Sequence, residues 1–139
     1  MTAPLFDKVA FIGFGLIGSS IARVMQRDGL AGTIVASART DATLKTVMSL
    51  GLADSVTKDP AEAVRDADLV MICTPVSTYS AIAAAIGPAL KQGAIVTDVG
   101  SVKASAIKAV MPHLPAGVHF VPGHPIAGTE NSGPESGFD

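Results

Sequence analysis

The chain has 139 residues, of which 48% are hydrophobic and 16% charged, and its net charge is −2. This length is enough for one domain with its own hydrophobic core. A slightly negative charge and an aromatic content of 4% argue against nucleic acid and anionic membranes as partners. The single cysteine excludes an intrachain disulfide, and no apolar run approaches the roughly 20 residues that span a bilayer. We therefore expect a soluble, cytoplasmic protein.

Strand-like and helix-like segments alternate along the chain. Continuous apolar runs, typical of strands buried on both faces, are followed by segments with helical periodicity. The predicted strands cover residues 8–14, 33–38, 54–58, 68–75, 94–100 and 118–125. The predicted helices cover residues 19–30, 41–52, 61–67, 77–90 and 103–114.

Local signals mark the ends of three of these helices. Gly29 is placed to end the first helix, and Asp41 is a candidate N-cap of the second. Asp59 and Pro60 place a cap and a proline at the start of the third. Strands joined by short helices form right-handed crossovers and a parallel sheet covered on both faces. The predicted fold class is therefore α/β, a doubly wound, Rossmann-like sheet of about six strands.

Three glycines at the first strand-to-helix turn fit the pattern G-x-G-x-x-G. Three glycines at this spacing also recur by chance, so the alternative is a plain tight turn. In a dinucleotide site, Gly13 allows the turn, Gly15 lets the backbone approach a pyrophosphate, and Gly18 lets helix and strand pack closely. The N-terminus of the helix that follows offers N–H groups and a positive dipole end to the phosphates, and Leu16 and Ile17 in the turn are predicted to bind the cofactor as well. We predict a dinucleotide site here.

The end of the second strand bears on the choice of cofactor. Sites that prefer NAD carry an acidic residue about 20 residues beyond the glycines, where it binds the ribose hydroxyls. Ala38 stands where that acid is expected, so nothing there repels the additional phosphate of NADP. Arg39 is placed to pair with this phosphate, with Ser37 and Thr40 as hydroxyl donors, unless Arg39 stacks on the adenine or faces solvent. We predict NAD or NADP, with a lean toward NADP competence.

The carboxyl ends of the later strands face the same crevice, where ligands of open α/β sheets gather. Thr74, Pro75 and Val76 follow the fourth strand and are predicted to line the cofactor. Cys73 is interpreted as a core residue rather than a nucleophile. Ser101 follows the fifth strand, where its hydroxyl caps the next helix, faces the nicotinamide end of the crevice, or does both.

Asp98 and the three histidines are the remaining candidates. We expect Asp98 to order the turn after the fifth strand rather than to take part in chemistry. His113 suits the negative end of a helix, and His119 can pack within the sixth strand. His124 lies between glycine and proline at the end of that strand, and histidine accepts protons near neutral pH. It is therefore either a general base or a residue of a stiff turn.

Two segments carry a more specific likeness. TDVGSVK at 97–103 and GHPIAGTENSG at 123–133 resemble the nucleotide-binding domain of the prephenate and arogenate dehydrogenases, the cyclohexadienyl dehydrogenases of tyrosine biosynthesis. The resemblance runs from about Val9 to the last residue. It implies an oxidative decarboxylation with NAD or NADP, in which prephenate gives 4-hydroxyphenylpyruvate or arogenate gives tyrosine.

The same resemblance implies roles for individual residues. His124 takes the part of the catalytic base, and Ser101 hydrogen-bonds near the reacting hydroxyl. Glu130, with its neighbour Thr129, maps to the substrate entrance. No metal is implied.

The resemblance also implies a domain organisation. Residues 1–125 correspond to a dinucleotide-binding domain, and 126–139 to an active-site loop that leads to a helical C-terminal domain absent from this chain. In the family that domain supplies dimer contacts and a substrate-binding arginine, so we expect a homodimer and an isolated chain of little activity. The alternatives are another Rossmann hydroxyacid dehydrogenase or imino-acid reductase, or a module that binds NAD(P) without chemistry.

Overall fold

The computed structural model describes residues 3–100 and 103–123. The strands in this part of the chain are β1 (Phe6–Ile12), β2 (Ala31–Ser37), β3 (Ser55–Thr57), β4 (Leu69–Ile72), β5 (Ile95–Asp98) and β6 (His119–Val121). The α-helices are α1 (Leu16–Arg27), α2 (Asp41–Ser49), α3 (Pro60–Ala63), α4 (Tyr79–Ile86) and α5 (Lys103–Val110). Short 3₁₀ turns precede α4 and follow α4 and α5. The alternation of strands and helices predicted from the sequence is confirmed.

The strands form one parallel sheet in the order β3-β2-β1-β4-β5-β6. β1 lies in the middle, where Val9 pairs with Ile34 of β2 on one side and with Leu69 of β4 on the other. Successive strands are therefore added on one side of β1 as far as β3, and on its other side from β4 onward. This reversal of the strand order opens a crevice at the carboxyl ends of the strands, which is where doubly wound folds bind ligands.

Apolar residues of the central strands point alternately to the two faces of the sheet. Val9 and Phe11 face α1 and α2, whereas Ala10 and Ile12 face α3, α4 and α5. All four side chains are at most 2% exposed. Burial on both faces explains why these strands appear in the sequence as continuous apolar runs.

The helix ends follow the predicted signals with one exception. Gly29 lies just beyond α1 with φ +64°, and Asp59 caps α3 through the N–H of Ala61. The expectation that Asp41 caps α2 is wrong, because the Thr40 hydroxyl accepts the N–H of Thr43 at 3.2 Å and Asp41 is the first helical residue. None of the helices in the described ranges is long and apolar enough to cross a membrane.

Candidate functional site

A cleft of about 380 Å³ lies at the carboxyl ends of β1, β2 and β4. It is therefore located where the strand order reverses, as the fold predicts. Three groups of residues line it: the glycine turn after β1, the residues after β2 and β3, and the residues after β4. Its lining consists of Ile12, Gly13, Phe14, Gly15, Ser37, Ala38, Arg39, Thr40, Thr43, Lys58, Pro60, Cys73, Thr74, Pro75, Thr78 and Ile82.

Gly13 makes the turn that predicted this site. Its φ is +82°, a conformation that residues with a Cβ rarely adopt. A Cβ at this position would also lie 2.6 Å from Cγ2 of Thr74. The Gly13 N–H donates to the carbonyl oxygen of Ser37 at 2.8 Å and so ties the turn to β2. The requirement for glycine at Gly13 is conformational and steric.

Gly15 and Gly18 serve different purposes. Gly15 is the N-cap of α1, so no side chain caps this helix, and a Cβ there would meet no protein atom within 4 Å. Gly15 therefore leaves open space in the cleft beside the helix N-terminus. Gly18 is buried in the first turn, where a Cβ would lie 3.3 Å from Sγ of Cys73. It allows α1 to pack against β4, as predicted.

Four residues predicted to contact the cofactor do not line the cleft: Leu16, Ile17, Gly18 and Val76. Leu16 and Ile17 form the first turn of α1, so they can contribute to a phosphate site through their backbone N–H groups. Val76 belongs to the 3₁₀ turn before α4 and packs against the core on that side of the sheet. Gly18 is likewise a packing residue rather than a cleft residue.

The residues after β2 line the cleft as predicted. Ser37 ends β2 and is buried, whereas Arg39 and Thr40 are exposed and directly precede α2. Ala38 lies between Ser37 and Arg39, so no carboxylate stands at the position where NAD-preferring sites place one.

Lys58 is a second cation in this part of the cleft and was not predicted from the sequence. It follows β3, which pairs with the carboxyl end of β2 through Ser37 and Thr57. Its Nζ lies 3.1 Å from Oδ1 of Asp41, and both side chains are largely exposed. The sequence shows only that Lys58 lies at the end of a predicted strand, and the pairing of that strand with β2 comes from the structure.

The residues after β4 form the opposite wall. Thr74 and Pro75 line the cleft, and the Thr78 hydroxyl lies 2.7 Å from the Thr74 hydroxyl and 2.6 Å from the Pro75 carbonyl oxygen. Burial, and secondarily the charge of Asp98, raises the pKa of the Cys73 thiol to about 12. Since the thiolate is the reactive form, the raised pKa makes Cys73 a poor nucleophile near neutral pH. The expectation that Cys73 is a core residue is only partly right, because its side chain is half-buried and lines the cleft.

Asp98 orders the end of β5, as predicted. Its side chain is 1% exposed, and its Oδ2 accepts hydrogen bonds from the Tyr79 hydroxyl at 3.1 Å and from the Gly100 N–H at 2.9 Å. Its Oδ1 accepts from the Gly123 N–H at 3.1 Å, after β6. Burial, and secondarily the charge of Asp98, raises the pKa of Tyr79, which therefore stays protonated and donates.

Two of the three histidines lie within the described residues. His113 follows α5 in a 3₁₀ turn, with Nε2 3.3 Å from the Ser80 hydroxyl, and is exposed. His119 lies in β6 and is also exposed rather than packed. The predicted catalytic and substrate residues lie outside the described residues: Ser101, His124, Thr129 and Glu130.

The described lining fits a dinucleotide. The open space at Gly15 adjoins an uncapped helix N-terminus, which suits a pyrophosphate. Hydroxyls and cations at the end of β2 suit a ribose or its phosphate, and the Thr74-Pro75 wall extends the cleft toward β5.

Comparison with known proteins agrees with this geometry. The sequence matches the family described as prephenate dehydrogenase, nucleotide-binding domain, over residues 21–139, a range that begins after the glycine turn. A cyclohexadienyl dehydrogenase of Zymomonas mobilis is 45% identical over 134 residues, which are 96% of this chain and 45% of that protein.

Solved structures give the same result. A prephenate dehydrogenase of Aquifex aeolicus, in complex with hydroxyphenyl propionate and NAD+, superposes with a TM-score of 0.85 at 34% identity, covering 96% of this chain and 46% of that one. A Synechocystis arogenate dehydrogenase superposes with a TM-score of 0.83 at 29% identity, covering 94% and 45%. The chain thus spans less than half the length of these relatives. It belongs to the prephenate dehydrogenase family and corresponds to the nucleotide-binding domain of that family.

Proposed function

We propose that the protein catalyses the NAD(P)-dependent oxidative decarboxylation of prephenate or arogenate in tyrosine biosynthesis. The observation that carries this proposal is the 45% identity with a cyclohexadienyl dehydrogenase along 96% of the chain. The cleft at the reversal of strand order, with its glycine turn and uncapped α1, supports the use of a dinucleotide.

In the proposed reaction His124 acts as the general base. It accepts a hydrogen bond from the ring 4-hydroxyl of the substrate and then takes its proton, and Ser101 hydrogen-bonds near the same hydroxyl. A nicotinamide bound in the cleft would supply the hydride acceptor for the ring carbon that bears this hydroxyl. The ring then loses CO2 and becomes aromatic, which makes the step effectively irreversible. Thr129 and Glu130 are proposed to lie at the substrate entrance.

An assay of the full-length natural protein tests this proposal. Prephenate and arogenate are each combined with NAD and with NADP, and reduced nicotinamide is followed by absorbance. We expect turnover in at least one of the four combinations. A protein that binds the dinucleotide and turns over neither substrate would instead be a binding module or a different dehydrogenase.

The role of His124 is tested by a pair of histidine variants. His124→Asn is expected to lower turnover by about 10²–10⁴, the usual contribution of a general base, and to keep dinucleotide binding. His119→Asn is the control, because His119 is exposed in β6, away from the cleft lining. Equal turnover of His124→Asn and the wild type would refute the assignment.

We further propose that NADP is accepted as well as NAD. Arg39 and Lys58 both line the cleft around Ala38, so two cations face the place where a 2′-phosphate would bind. Removal of either is expected to weaken NADP by about tenfold or more, as for a lost charge-assisted hydrogen bond, and to change NAD little. Lys45→Ala is the control, since Lys45 is exposed on α2 and does not line this cleft. Equal effects on NAD and NADP would contradict this proposal.

The remaining proposals concern organisation. We propose that residues 1–125 are the dinucleotide-binding domain, that 126–139 lead into a helical domain, and that the cytoplasmic protein forms a homodimer through that domain. Light scattering of the full-length protein and of residues 1–139 is expected to give a dimer and a monomer respectively. A dimeric 1–139 chain would place the dimer contacts in this domain instead.

A further inference from the structure

A single buried carboxylate connects the loops that follow the last two strands. Asp98 ends β5 and is 1% exposed. One of its oxygens accepts the N–H of Gly100, two residues later, at 2.9 Å. Its other oxygen accepts the N–H of Gly123, 25 residues later, at 3.1 Å. We call these three residues the Asp98 bridge.

Both glycines of the Asp98 bridge lie so close to Asp98 that neither position has room for a Cβ. A Cβ on Gly100 would lie 2.9 Å from Oδ2 of Asp98 and 2.7 Å from the Tyr79 hydroxyl. A Cβ on Gly123 would lie 2.5 Å from the Asp98 carbonyl oxygen and 3.2 Å from Oγ1 of Thr97. Neither loop can carry a side chain at this point without moving away from β5. The two glycines are therefore needed for the close approach itself.

The Tyr79 hydroxyl holds the carboxylate from a third side. Tyr79 begins α4, is fully buried, and donates to the oxygen of Asp98 that also accepts the Gly100 N–H. Hydrogen bonds to a buried carboxylate are stronger than those in water and leave the groups little freedom. The relative position of the two loops is thus determined at Gly100 and Gly123.

Each glycine of the Asp98 bridge immediately precedes a residue to which the proposed function assigns a role. Ser101 follows Gly100 in the chain, and His124 follows Gly123. We propose that Asp98 is a positioning residue for the proposed reaction, because it holds together the backbone at Gly100 and Gly123, from which the chain continues to Ser101 and His124. This inference rests on the proposed function for the roles of Ser101 and His124. The role needs no contact between Asp98 and substrate, because it acts through hydrogen bonds to the backbone at Gly100 and Gly123.

The first test is Asp98→Asn in the full-length protein. An amide has one acceptor oxygen and one NH2 group, so in either orientation the NH2 faces an N–H that the carboxylate accepts. One loop is released while the shape of the side chain is kept. We expect kcat to fall by about 10²-fold, the usual effect of a displacement near 1 Å in an active site. The dissociation constant of the dinucleotide is expected to stay unchanged, because the glycine turn and the end of β2 are not touched.

Asp68→Asn is the matched control. Asp68 precedes β4, at the amino ends of the strands and thus opposite the cleft. It accepts hydrogen bonds from the N–H groups of Asp7 at 2.8 Å and Lys8 at 3.0 Å, and from the ammonium of Lys91. It therefore resembles Asp98 in its partners but lies far from the proposed chemistry. We expect Asp68→Asn to lower the melting temperature and to leave kcat unchanged. If Asp98→Asn behaves in the same way, Asp98 is a structural residue and the proposal is overturned.

Gly123→Ala keeps the proposal testable if Asp98→Asn does not fold. Its Cβ displaces the loop after β6 and leaves the carboxylate intact, so we again expect a fall in kcat with unchanged dinucleotide binding. Wild-type kcat in folded Gly123→Ala would overturn the proposal.

Hydrogen exchange separates failure of the Asp98 bridge from failure of the proposed function. The amide protons of Gly100 and Gly123 in the wild type are expected to be protected, which NMR measures without any turnover. Rapid exchange of both amides would overturn the bridge even in an active enzyme. Protected amides in a protein that turns over neither prephenate nor arogenate would overturn the proposed function and, with it, the role given to Asp98.

Discussion

Two alanine substitutions in the glycine turn, only two residues apart, are expected to affect different properties: one the stability of the fold, the other the affinity for the dinucleotide. Gly13→Ala should destabilise the fold, because φ is +82° and the new Cβ would lie 2.6 Å from Thr74 Cγ2. Left-handed backbone costs about 1–2 kcal/mol for a residue with a Cβ, and overpacking about 1–3 kcal/mol. The expected loss is therefore about 2–5 kcal/mol of unfolding free energy.

Gly15→Ala should leave the fold almost unchanged and weaken the dinucleotide. Gly15 has φ −106°, which alanine tolerates, and its Cβ would meet no protein atom within 4 Å. The methyl group would occupy the space beside the N-terminus of α1 that a pyrophosphate needs. Loss of one or two charge-assisted hydrogen bonds of about 1.5–3 kcal/mol each raises the dissociation constant at least tenfold.

Urea unfolding and calorimetric titration with NADH and NADPH measure both quantities on the same samples. Gly13→Ala is expected to unfold at a clearly lower urea concentration, and Gly15→Ala at the wild-type concentration with weakened binding of both dinucleotides. A Gly13→Ala protein as stable as the wild type would refute the steric argument. Wild-type affinity in Gly15→Ala would place the pyrophosphate elsewhere.

Three further predictions concern single side chains. Because the pKa of Cys73 is raised to about 12, iodoacetamide should label the folded protein at pH 8 far more slowly than the unfolded chain, and equal rates would contradict this. Thr40→Ala removes the N-cap of α2 and should cost about 1 kcal/mol in urea unfolding, whereas Asp41→Ala should cost less. The Lys91 ammonium and the Lys8 N–H lower the pKa of Asp68 below its ordinary value of 3.8. Its carboxylate therefore stabilises the fold at pH values above 3.8, and this contribution is lost as the pH falls through the lowered pKa of the folded state. The melting temperatures of Asp68→Asn and the wild type should therefore differ at pH 7 and converge in acid; a difference that persists in acid would point to a packing effect.

Local patterns determined most of the fold. The apolar runs of β1 and β4 and the glycines of the first turn indicate buried parallel strands and a tight connection, because each signal depends on neighbouring residues alone. The Asp59-Pro60 start of α3 was predicted for the same reason. The cap of α2 was not, since Thr40 and Asp41 are both good N-caps and only the hydrogen bond from the Thr43 N–H to the Thr40 hydroxyl distinguishes them.

The tertiary structure decided which distant groups meet. Lys58 reaches the cleft because β3 pairs with β2, and nothing near Lys58 in the sequence states that pairing. Asp98 was predicted to order its own turn, but its bonds to Tyr79 and Gly123 span 19 and 25 residues. The sequence by itself thus determined the strands, the glycine turn and the family. The order of the strands in the sheet determined the cleft and the Asp98 bridge, because contacts between distant residues depend on how strands are placed side by side.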